Sequence, residues 1–122
     1  MRVWLLTLAL FWMASASAAS PEPWRFAVIS DVHVFNSGRV PSGFTQLVPK
    51  IAGLAPQFVV ITGDSMSGNP GDKFTLARVE GWWAAFKKSL KPLRDAGISI
   101  FPIAGNHDSY RATDRNAYLA AW

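Results

Sequence analysis

Cysteine is absent from this 122-residue sequence. That excludes a disulfide framework, a thiolate metal site, a thiol nucleophile and a lipid-modified cysteine. Histidine is nearly absent: His33 and His107 are the only two. Any metal would have to be held by Asp, Glu, Asn and these imidazoles. Charged residues make up only 16% of the chain while half of it is hydrophobic, which excludes a disordered chain and fits one small domain or part of one. Internal repeats and low-complexity linkers are missing as well. The net charge of +4 is spread thinly, except where Lys87, Lys88, Lys91 and Arg94 gather on a predicted helix and its exit. Cations near the negative end of a helix read as a solvated face, so no nucleic-acid partner is expected.

The one long apolar run lies at the N-terminus. Met1-Arg2 gives a positive charge, Val3 to Met13 an apolar core, and Ala14 to Ser20 a stretch of small residues. These are the three regions of a secretory signal peptide, with Ala16-Ser17-Ala18 as the cleavage pattern. The run falls short of the ~20 residues of a membrane-spanning helix. Residues 1–18 are therefore expected to be removed on export, leaving a secreted or periplasmic product from residue 19 without a stable membrane anchor.

After Pro21-Glu22-Pro23 the chain alternates between two kinds of segment. Phe26 to Ile29, Phe58 to Ile61 and Ile98 to Ile103 are apolar, largely β-branched or aromatic, and bounded by turn formers, as buried parallel strands are. Phe44 to Leu54 reads as a helix with Leu47, Ile51 and Leu54 on one face, although Pro49 must sit in its first turn or bend it. Lys73 to Ala96 is a longer helix, its stripe of Leu76, Val79, Trp83, Phe86, Leu90 and Leu93 recurring at three and four. Pro92 should interrupt its last turn and Gly97 close it. A further helix runs toward Trp122. The order βαβαβα makes an α/β fold, with right-handed crossovers and a parallel sheet carrying helices on its faces.

Each predicted strand is followed by a motif: Asp31-Val32-His33, Gly63-Asp64 and Gly105-Asn106-His107-Asp108. Open α/β sheets place ligands beyond the carboxyl ends of their strands. Three adjacent strands would therefore bring these carboxylates, imidazoles and the amide to one edge. That donor set suits divalent ions such as Mn, Fe or Zn. In Asp31-x-His33, strand alternation would send both side chains to one side. Asp64 could bridge two ions at the ~3.5–4 Å spacing of two-metal hydrolases. Gly-Asn-His-Asp is the specific signal, with a chance occurrence on the order of one in a thousand. Asn106 offers a neutral oxygen, His107 a ligand or general acid, and Asp108 a partner that could fix the imidazole tautomer.

In this order, and after strands, the three motifs resemble the first three of the calcineurin-like metallophosphoesterases. The resemblance covers about Phe26 to Tyr110. It implies that residues 19–122 are the N-terminal βαβαβα part of an αββα sandwich that hydrolyses phosphate esters at a centre of two divalent ions (Mn, Fe, Zn or Ni). Transferred by position, Asp31 and His33 hold the first ion, Asp64 bridges both, and Asn106 binds the second. His107 lies over the phosphate as electrophile or general acid, oriented by Asp108. The sequence departs from the family at Ser67, where many members have a second acid. It departs again in having no His after His107, where the family has two later histidine motifs. The resemblance thus implies an incomplete domain with little activity of its own. A fold-retaining binding protein without turnover and a nuclease of the same superfamily are the competing readings. Metal content separates the first from an enzyme, and binding that falls steeply with salt marks the second.

Overall fold

Three apolar tetrapeptides build the sheet: β1 (Phe26–Ile29), β2 (Phe58–Ile61) and β3 (Ser99–Pro102). They come from a computed structural model that describes residues 23–122; the expected signal peptide at residues 1–18 lies outside the described residues. All three strands are parallel in the order β1-β2-β3, with Phe26 beside Phe58 and Phe58 beside Ser99. Their carboxyl ends therefore fall on one edge, as the motif argument requires.

Between β1 and β2 lies α1 (Ser42–Gly53), with Phe44, Val48 and Ile51 buried. Pro49 sits well inside this helix rather than in its first turn, and the helix runs on past it. The expected long helix is two: α2 (Leu76–Ser89) and α3 (Lys91–Asp95), parted at Leu90. Pro92 lacks the N–H that a continuous helix needs and clashes with the carbonyl four residues earlier, so the break falls there. Helix α2 begins three residues later than the periodicity indicates, where the Thr75 side chain caps the Arg78 N–H. Helix α4 (Ala112–Ala121) follows β3 and packs on α2.

Ile29, Val59 and Ile61 join Val48, Phe86, Leu90 and Leu93 in one core. Trp82 and Trp83 are both buried in it, which is the packing role their helical spacing implies. Among the described residues nothing packs over the opposite sheet face. Phe26, Val28, Phe101 and Ile103 are each more than half exposed, and Phe58 stacks on Phe26 at 5.4 Å between ring centroids. Among the described residues helices therefore cover one face, as the expected portion of an αββα sandwich requires. The cause is topological: right-handed crossovers that always step in the same direction put every connection on the same side.

Among the described residues no helix is long and apolar enough to cross a membrane. The basic cluster is engaged at helix ends. Lys87 Nζ donates to the Ala121 carbonyl, Arg94 Nη1 to the Lys87 carbonyl at 2.6 Å, and Lys91 pairs with Asp95 at 2.5 Å.

Candidate metal centre

The chain leaves β1 at Ile29 and turns at once. Asp31 and His33 lie at φ 55° and 50°, and after β2 Asp64 lies at φ 51°, preceded by Gly63 at φ 101°. Residues with a Cβ seldom enter this left-handed region, and each one there costs on the order of 1 kcal/mol or more. Four non-glycine residues among those described do so, Asp31, His33, Asp64 and Ala55. Three of the four are candidate ligands. Strand alternation is thus not what aims Asp31 and His33: both lie beyond the strand, and left-handed turns bring them together. Asp31 Oδ1 and His33 Nε2 are 3.7 Å apart.

The loops after β1 and β2 run side by side. Backbone N–H groups of Asp31, His33 and Val34 donate to the carbonyls of Gly63, Asp64 and Ser65 at 3.2, 3.0 and 2.8 Å. A parallel bridge between Val34 and Met66 closes this stitching. The loop after β3 is tied in by side chains. Asp64 Oδ1 accepts the His107 N–H at 2.9 Å. Asp108 is 1% exposed, and its carboxylate accepts the N–H groups of Ser65, Met66 and Gly105 at 3.2, 2.8 and 3.0 Å.

Asp108 therefore does not touch the His107 imidazole, contrary to the expected pairing. It is a clamp between two loops. Burial raises its pKa above the ordinary aspartate value, against the pull of the three N–H donors. Replacing it by Asn leaves one oxygen to serve donors that now meet an amide NH2, so buried N–H groups go unpaired. Asp108→Asn should cost about 2–4 kcal/mol, measured as a lowered urea midpoint at unchanged slope.

The imidazole partner is backbone. His107 Nδ1 lies 2.5 Å from the Gly68 carbonyl oxygen. A carbonyl only accepts, so Nδ1 carries the proton and Nε2 is left with its lone pair. Gly68 approaches so closely that a Cβ on it would stand 2.6 Å from the His107 carbonyl oxygen. In the sequence it reads only as a turn former; a backbone acceptor leaves no signal in residue type.

Donor atoms of His33, Asp64 and His107 all lie within 4.8 Å of one another, and Asp31 adjoins His33. Asn106 is next to His107 in the chain, with its amide Nδ2 2.6 Å from the Tyr110 hydroxyl. Two imidazoles and two carboxylates, with Asn106 adjacent in the chain, offer the mixed N/O donor set that Mn, Fe or Zn takes. The His33 and His107 rings meet edge to face, 4.9 Å between centroids.

A second tie lies behind the site. Arg111 is paired with the buried Asp114, and its Nη1 donates to the Asp72 carbonyl at 2.7 Å, holding the loop after β2 against the start of α4. The Asp114 pairing raises the Arg111 pKa further. The pair leaves little signal in the sequence, because an i, i+3 Arg and Asp at a helix start look like ordinary surface charges.

A family model described as calcineurin-like phosphoesterase matches residues 25–122 of this chain. No curated protein matches it.

Proposed function

Because the chain belongs to the calcineurin-like phosphoesterases, we propose that it is the N-terminal part of an exported enzyme that hydrolyses a phosphate ester at two divalent ions. The family supports a hydrolase acting on phosphoester bonds, and the His33/Asp64/His107 cluster is a candidate place for metal. The observation that carries the reading is the backbone cost at Asp31, His33 and Asp64. Strain concentrated on three adjacent metal-binding side chains is what a functional site retains and a structural turn loses.

In this reading Asp31 and His33 hold one ion, Asp64 both, and Asn106 the second. When bound, divalent ions supply Lewis-acid polarisation of the phosphoryl group and neutralise its charge. The chain's own residues do the rest. The Gly68 carbonyl keeps the proton on His107 Nδ1, so Nε2 is the ring nitrogen left free. With Nε2 protonated as well, the ring can donate to a phosphoryl or leaving-group oxygen, and the hydrogen bond from the His107 N–H to Asp64 Oδ1 ties its loop to the one that carries Asp64. The bare face of Phe26, Val28, Phe101 and Ile103 is the side on which the second sheet of an αββα sandwich would lie. Export rests on the charged start, apolar core and small-residue exit of residues 1–18. N-terminal sequencing of the exported protein checks it; a product that begins at Met1 and stays in the membrane contradicts it.

The central test is Mn2+ binding by the purified chain, followed by calorimetry, with a chromogenic phosphodiester assay and sedimentation alongside. Mn2+ uptake that Asp31→Ala weakens, with little turnover, is the expected result. A chain that binds no divalent ion contradicts the metal reading. A monodisperse chain whose turnover Asp31→Ala abolishes contradicts the view that the domain is incomplete.

A further inference from the structure

We propose that Tyr110 is a positioning residue for the metal centre, its hydroxyl accepting from Asn106 Nδ2 and so leaving the amide oxygen for the ion. This rests on the reading of Asn106 as a ligand. The two ends of a carboxamide are nearly the same shape, but only the oxygen can bind a cation. Asn106 is exposed, so packing alone does not choose between them. Tyr110 engages one end: Nδ2 donates to its hydroxyl oxygen at 2.6 Å. Among the described residues Oδ1 has no donor, so the oxygen is free.

A tyrosine hydroxyl can donate as well as accept. The flipped amide would also be hydrogen-bonded, but with its oxygen occupied and its NH2 turned toward the site. The observed pairing is the one compatible with metal binding. The spacing comes from a tight turn in which Ser109 N–H donates to the Asn106 carbonyl and Ser109 Oγ to the Gly105 carbonyl, at 3.1 and 2.7 Å. That turn lays residue 110 back over residue 106. The same ring stands edge to face against the His107 imidazole, 5.2 Å between centroids and at 81°. Tyr110 therefore reaches two candidate site residues without being a ligand itself.

Tyr110→Phe removes the hydroxyl and keeps the ring on His107. Loss of a group that orients a ligand lowers metal affinity by about 10-fold or more. Two readouts separate positioning from structure. In the metal-free chain, the Asn106 side-chain NH2 signals in 1H–15N spectra should shift in Tyr110→Phe while the thermal midpoint stays. In calorimetric Mn2+ titrations, Tyr110→Phe should bind about 10-fold more weakly at the Asn106 position, and Asn106→Ala at least as weakly. Weakened binding in Asn106→Ala but not in Tyr110→Phe overturns the positioning role and leaves Asn106 a ligand. Unchanged binding in both overturns the ligand assignment and the proposal with it.

Discussion

Gly105→Ala should unfold the chain or remove about 4 kcal/mol of its stability, a large share of what a domain of this size has. A Cβ on Gly105 would lie 2.2 Å from Asp64 Oδ1 and 2.4 Å from the Asp64 nitrogen. A Cβ on Gly63 would lie 2.4 Å from the Gly105 nitrogen, so the two loops touch backbone to backbone. Swinging the Asp64 side chain away would not make room, because the Asp64 backbone nitrogen stands in the way as well. The loops after β2 and β3 would have to separate, breaking the Asp64–His107 and Asp108–Gly105 hydrogen bonds with them. Urea denaturation measures the loss. Gly43→Ala is the control: that position is in α1 with nothing within 4 Å of a Cβ. There alanine should gain up to about 1 kcal/mol. Equal midpoints for the two variants would show that the close approach carries no energetic weight.

Asp64→Asn and His107→Ala should fail in different ways. Asn keeps an oxygen to accept the His107 N–H, so the loop geometry survives. It loses the charge that a shared ligand needs, and affinity for both ions should fall by about 100-fold or more. Metal analysis after dialysis and the calorimetric titration would record it, with activity lost in parallel in the complete enzyme that the proposed function calls for. His107→Ala should keep most of its metal and lose about 10²–10⁴ in rate, the range for a missing general acid. The Gly68 contact supports this division, because it leaves Nε2 free to meet substrate. The donor atom of His107 nevertheless lies within the cluster with His33 and Asp64. Metal loss in His107→Ala as large as in Asp64→Asn would therefore make it a ligand and overturn the assignment.

The strands could be read directly from residue type. Phe26–Ile29 and Phe58–Ile61 coincide with the predicted runs, and Ser99–Pro102 lies within the third. Short β-branched and aromatic runs between turn formers have few other ways to bury themselves. The three motifs were legible too, because they use scarce residues: both histidines of the chain fall inside them. Helix ends were less so. The division at Leu90 follows from Pro92, while the start of α2 depends on a Thr75 cap that periodicity does not see.

How the site is held was decided only by tertiary structure. Asp108 sits beside a histidine in sequence, where orienting that ring is the natural expectation. Its carboxylate instead serves three N–H groups of two loops, because the crossing backbones left those donors buried and unpaired. The ring found a carbonyl at Gly68, thirty-nine residues earlier in the chain. Tyr110 met Asn106 because a turn closed between them. Composition and spacing determined which chemistry this chain can offer and at which edge of the sheet. Left-handed turns, buried backbone donors and the one-sided topology arise only when separate segments meet, and they decided how those groups are aimed and which sheet face stays bare.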